Sequence, residues 1–307
     1  MAAWGRESLN GHRMGWNVRS NPWRAMLICM AVAIIVAMPA NAEPLAPLPS
    51  SPPLKEVDIG ANAFSLADPV PDWVEEVPMP DADAAQQTSV LLADTQFHVA
   101  ETPSAHIRRA VVVRDAASLG NVGQVALSFV PAYQKLQLHA VRILRNGETI
   151  DQTKALSVRF LQRETGLEQG VYSGEVTAST LVSDLRIGDI LETVYTVHGQ
   201  NPVFGRKFLD AAGWDSPFAT QLRRVVLTSP ADRTVNWRFH ADGDVARATP
   251  KETVENGVRK LIFEGAGFAQ LRPSRPRRTT TRRFDGCNSP SSPAGTMWSP
   301  GPIIYSR

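Results

Sequence analysis

Between residues 88 and 268 the chain is a succession of short β-forming runs punctuated by turn residues, a spacing that leaves room for little except an all-β fold. Residues 90–99, 107–113 and 122–130 are rich in β-branched and apolar residues. Leu136, Leu138 and Ala140 then alternate with Gln137 and His139, which predicts one buried and one wetter face. The alternation slips at Val141 and Ile143, and a slip of one residue predicts a β-bulge. Asn146-Gly147 and Asn256-Gly257 are two-residue hairpin turns, which need positive φ, and Asp242-Gly243 turns the chain once more. Further runs cover 150–160, 172–181, 190–197, 222–227, 235–239 and 258–263. The expectation is an antiparallel β-sandwich of about ten strands with no long helix.

The flanks read differently. Arg19 and Arg24 precede an apolar run over 25–38, Pro39 breaks it, and Ala40-Asn41-Ala42 has the small-x-small pattern of a signal-peptidase site. Residues 1–42 are therefore expected to be a signal peptide cleaved after Ala42, with an uncleaved anchor as the alternative and Met14 as a second possible start. Residues 43–87 carry nine prolines and read as a linker without regular elements, in which Asp72-Trp73-Val74 is apolar enough to dock on the body. Residues 88–268 form the body, and residues 269–307 are expected to be a disordered tail.

Charge separates these regions. Residues 1–42 carry a net +3 and residues 265–307 a net +6; with +2 overall, residues 43–264 hold −7. An acidic body argues against a nucleic-acid partner. The two cysteines are Cys29, inside the apolar run and without the small residue that precedes a lipidated cysteine, and Cys287 in the tail. No disulfide is available to the body, so its fold rests on burial alone.

Catalytic and metal-binding patterns are sparse. His98, His106, His139, His198 and His240 are scattered, with no metal-ligand spacing, and are expected at the surface or in turns. No Gly-x-Ser-x-Gly elbow is present. Asp184, Asp189 and Glu192 could be paired acids, but a turn closed by Asp184 with a permissive Gly188 explains them better. Cys287 has neither a downstream histidine nor a helix leading into it. Neither a metal nor another cofactor is expected. Trp237 alternates with apolar residues and is expected in the core. Gly213-Trp214-Asp215 reads as a loop, so Trp214 and Asp215, with Asn201, are the candidate contact surface.

An ordered set of phrases carries a family resemblance. Residues 129–136 (FVPAYQKL), 138–141 (LHAV), Arg145-Asn146-Gly147-Glu148, 185–192 (LRIGDILE) and 199–204 (GQNPVF) follow one another across some 130 residues. Together they resemble domain of unknown function 3857, which precedes transglutaminase-like domains in exported bacterial proteins. The resemblance implies a β-sandwich, and a following domain with a papain-type Cys, His and Asp.

The tail has a second reading. When the third base of each codon is joined to the first two of the next, Cys287-Asn288 forces Gln and Met297-Trp298 forces Val. The shifted text admits acidic and tryptophan-bearing phrases like those that lead into the transglutaminase-like domain. The tail is therefore expected to be out of frame. The functional expectation is a non-catalytic, exported module that packs against a transglutaminase-like domain or envelope protein. Membrane contact would come only through an uncleaved signal. The alternatives are an autonomous glycan- or peptide-binding module of the cell envelope and a fragment of a cysteine enzyme.

Overall fold

The computed structural model describes residues 54–81, 89–162, 172–205, 207–214, 218–239, 248–269 and, for the backbone, 302–306. The expected signal peptide with Ala40 and Ala42, the Asp242-Gly243 turn, His240, Asp215 and Cys287 lie outside them.

The described residues are almost entirely strand. In chain order these are β1 (Lys55–Glu56), β2 (Phe64–Leu66), β3 (Val90–His98), β4 (Ser104–Val112), β5 (Gln124–Phe129), β6 (Lys135–Arg145), β7 (Glu148–Asp151), β8 (Arg159–Gln162), β9 (Val176–Leu181), β10 (Ile190–His198), β11 (Leu209–Ala211), β12 (Thr220–Pro230), β13 (Val235–Phe239), β14 (Lys251–Glu255), β15 (Val258–Phe268) and β16 (Pro302–Ser306). The excess over the ten expected strands comes mostly from short pieces. Among the described residues there is one α-helix, α1 (Ala116–Gly123), started by Asp115, whose carboxylate accepts from the Ser118 N–H.

The large sheet runs β14-β15-β12-β3-β4-β10-β6-β2, with β7 also on β6. It is mixed rather than purely antiparallel, because β3 pairs with β12 and β2 with β6 in parallel. Long connections permit this: β10 and β12 are separated by an excursion over residues 199–219 instead of a hairpin. Both described Asn-Gly turns form, with Asn146 and Asn256 at positive φ. The bulge falls where the apolar alternation slips: Val194 pairs with Ala140 and Tyr195 with Leu138, leaving His139 as the extra residue.

One face of the large sheet, called the front, carries two separate cores. At one end Leu136, Leu138, Val141, Ile143 and Leu191 pack against Val125, Leu127, Phe129, Val176 and Ala178 of a second sheet, β1-β8-β9-β5, which makes the sandwich. At the other end Phe97, Val225, Leu227, Leu261 and Phe263 pack against Phe208, Ala212, Trp214 and Val235. This second cover includes a small sheet, β11-β16-β13, in which β16 pairs with both neighbours. Residues 302–306 of the tail thus form a ladder that its composition does not forecast.

The opposite, back face is crossed by residues 68–79. The proline-rich stretch holds more structure than its composition suggests: β1 and β2 join sheets, and Trp73 stacks on His98 with ring centroids 5.0 Å apart. The docking expected of Asp72-Trp73-Val74 is seen at Trp73.

Candidate functional site

Two arginine pairs, Arg108-Arg109 on β4 and Arg223-Arg224 on β12, flank Ala93-Asp94 on β3. Strand alternation sends one member of each pair to each face. Register aligns them into two rows: Arg224, Asp94 and Arg108 on the back, Arg223, Ala93 and Arg109 on the front.

The back row is closed. Asp94 is buried, accepts from Arg224 at 3.3 Å and from the Gln96 amide at 2.7 Å, and burial still raises its pKa. Arg224 also holds Glu75 of the crossing segment, which pairs with Lys260 as well. Arg108 pairs with buried Glu192 at 2.8 Å and donates to the Val77 carbonyl. Arg142 reaches the other oxygen of Glu192 at 3.2 Å.

Beside this row lie four histidines that the sequence placed at the surface or in turns. His106, only 2% exposed, and His139 are buried, and each hydrogen-bonds the Thr196 hydroxyl, at 2.9 and 2.7 Å. His139 Nδ1 faces the Asp68 carbonyl at 2.9 Å, which can only accept, so Nδ1 carries the hydrogen. In neutral His139, Nε2 therefore accepts from Thr196, and the Thr196 oxygen accepts from His106 Nδ1–H. By the same logic His198 Nε2–H donates to Gln137 Oε1, whose amide nitrogen donates to Asp68 at 2.9 Å, and His198 Nδ1 accepts from Ser104 at 2.7 Å. Burial lowers the pKa of His98, His106, His139 and His198, that of His106 to about 3. Three or more potential metal ligands are not grouped anywhere among the described residues. The network is a neutral, hydrogen-bonded seam, which sequence reasoning missed because its members come from strands distant in the chain.

The front row opens into a cavity of about 520 Å³ between the two cores. Arg109 and Tyr195 stand side by side on its floor, and Arg223 donates to the Gly213 carbonyl in its wall. Arg109 is exposed and lines the cavity; the surrounding protein still lowers its pKa by desolvation, opposed by the Tyr195 phenol. Among the described residues no carboxylate lies within ion-pair distance of it. Asp210 on β11 also lines the cavity; burial pushes its carboxyl up to about 6, and the Ala211 N–H is its hydrogen-bond partner at 2.7 Å. The Gln200 side-chain oxygen, also at the cavity, is buried without a partner among the described residues.

The predicted contact residues sit around this cavity, though not as expected. Trp214 is not an exposed contact: it is 1% exposed and packs edge-on to Phe239 and Phe268, because its loop folds down onto β15. Trp237, expected in the core, is 38% exposed, with one edge on Phe263. Asn201 accepts from the Val203 N–H at 3.0 Å and starts a short 3-10 turn, Pro202–Phe204, whose Val203 is 86% exposed.

The phrases that carried the resemblance meet one another as joints. Arg145 donates to Asp184 and, through two nitrogens, to Asp189, which also accepts from the Arg186 N–H at 2.7 Å. Those bonds hold the Asp189 carboxyl below the usual range, the Arg145 contact first. Gly199 has φ +100, and a Cβ there would collide with the Tyr133 carbonyl.

Comparison with known proteins agrees with this placement. Residues 101–266 match the family described as "Domain of Unknown Function with solved-structure structure (DUF3857)". A search of curated proteins finds no match. Among solved structures the chain is similar to a "putative protease" from Parabacteroides distasonis at 10% identity and a TM-score of 0.55, covering 73% of this chain and 41% of that one. Weaker likenesses are to the M1 zinc metallopeptidase of Deinococcus radiodurans (13% identity, TM-score 0.31, 58% of this chain and 39% of that) and native yeast LTA4 hydrolase (8%, 0.29, 59% and 29%). The chain thus spans about two fifths or less of these structures, and only the first likeness speaks to fold.

Proposed function

The chain belongs to the DUF3857 family, and from that premise we propose that it is a non-catalytic packing module, exported to the periplasm or envelope, that seats a transglutaminase-like domain or another envelope protein. The observation that carries this reading is the use made of its acidic residues. Asp184, Asp189 and Glu192, the acids that could have formed a catalytic pair, are instead held in ion pairs with Arg108, Arg142 and Arg145. The loop after Gly199 presents Val203 and Phe204 to solvent, an apolar surface suited to a neighbouring domain. The likeness to a longer protein, of which this chain covers 41%, supports a module carried beside other domains. Among the described residues no helix is long and apolar enough to cross a membrane.

Two measurements test the proposal. Amide-hydrolysis and transglutamination assays on the full chain are expected to read blank; turnover that Cys287→Ser abolishes would make the chain an enzyme. Sequencing the gene through the codons for residues 260–290 and onward is expected to show the shifted frame continuing through a Cys, His and Asp set. Early stops in every frame would leave the second reading, an autonomous envelope glycan- or peptide-binding module, which the cavity favours.

A further inference from the structure

The two rows across β12, β3 and β4 differ at their centre. On the back, Asp94 stands between Arg224 and Arg108; on the front, Ala93 stands between Arg223 and Arg109, and its methyl leaves open the volume that a carboxylate fills on the other side. Adjacent strands are about 4.8 Å apart, so the flanking arginines start about 10 Å from each other, a span that one carboxylate and its hydrogen bonds can occupy. Arg109 lines the cavity with no carboxylate in ion-pair distance among the described residues, so a ligand that brings an anion there gains a charge-assisted pair. The buried Gln200 oxygen is a second unmet demand in the same cavity, and it calls for an N–H. Asp210 adds an acceptor from the covering strand β11.

We propose that this cavity binds the free carboxylate end of a short peptide over Ala93, with Arg109 and the Tyr195 hydroxyl donating to the carboxylate and Gln200 and Asp210 accepting from the peptide's N–H groups. The volume suits a ligand of a few residues. The assignment goes beyond the packing role and does not depend on what the module seats.

The experiment is calorimetric titration of the full chain with the dipeptide Ala-Ala and with its C-terminal amide. Ala-Ala is expected to bind, and the amide at least about tenfold more weakly, the loss expected for one charge-assisted hydrogen bond. Arg109→Gln is expected to abolish the difference between the two. Ala93→Asp supplies the missing carboxylate internally; it is expected to block Ala-Ala while raising the thermal midpoint, which also shows that the variant folds. Equal affinity for acid and amide, undiminished binding to Ala93→Asp, or no heat with Ala-Ala up to roughly 10 mM would overturn the assignment. None of these outcomes touches the packing role, which the enzyme assays and the gene sequence judge separately.

Discussion

Arg223 and Arg224 are neighbours on β12, yet they live in different chemistry. Arg224 faces a back surface where Arg108, Arg142, Arg224 and Lys260 have carboxylates and each imidazole its partner, under a crossing segment tied down by Asp68, Trp73, Glu75 and Val77. Arg223 faces a front surface where apolar cores stop short of each other and leave a hole lined by Arg109, Tyr195 and Asp210. The difference teaches that buried polar groups serve two ends in one sheet. Where they are mutually satisfied they specify how a segment without regular structure must lie; where one partner is withheld they leave a demand that another molecule can meet.

Breaking the back row should have the largest effect. Arg224→Met leaves Asp94 buried and releases Glu75, and is expected to cost about 3–5 kcal/mol in urea denaturation. Adding Asp94→Asn should recover part of it, and a loss no larger than that of a surface substitution would deny that the row is interlocked. Next comes the joint between the faces: Gly199→Ala forces a side chain into the left-handed region and against the Tyr133 carbonyl, at an expected cost of about 2 kcal/mol in the same measurement. An unchanged midpoint would show that the loop carrying Gln200 is free to move.

The histidine seam gives a pH signature of similar size. His106 titrates near 3 in the folded chain against 6.5 ordinarily, so between those values the unfolded chain holds the extra proton. Stability is full above about 6.5 and drains as pH falls toward 3; from pH 7 to pH 5 the His106 share is about 2 kcal/mol. His98, His139 and His198 act in the same direction. Urea midpoints at the two pH values check this, and His106→Gln should flatten the slope. The smallest effect belongs to the front. Arg109→Met orphans no carboxylate and is expected to be neutral or stabilising by up to about 1 kcal/mol. If it destabilises as Arg224→Met does, the contrast between the faces is lost.

Much of the scaffold was legible in the sequence because its causes are local. Asn146-Gly147 and Asn256-Gly257 fix hairpins by their own φ angles, and the slip after His139 announces a bulge. The seam was not legible, because Thr196 joins His106 to His139 only once β4, β10 and β6 are in register. Reading Trp214 as exposed and Trp237 as core had one root. A tryptophan between Gly213 and Asp215 looks like a loop tip, and one in an alternating run looks like core, but burial depends on what the segment lies against. The 208–214 excursion lies on β3, β12 and β15, whereas β13 belongs to the small outer sheet. The parallel β3–β12 pairing and the place of β16 were equally hidden, since both join residues far apart along the chain.

The extra residue at His139 keeps the two halves of β6 in phase with their neighbours. Leu136 and Leu138 before it, and Val141 and Ile143 after it, all reach one core although they stand on odd and even positions. Deleting His139 would leave Leu138, Ala140 and Val141 in plain alternation, so the four apolar side chains would still reach the core while the seam lost its imidazole; inserting a further residue there would, without a second bulge, turn half the strand inside out. A single added codon would thus reverse the polarity of half of β6, and insertions at this point should be far less tolerated than substitutions.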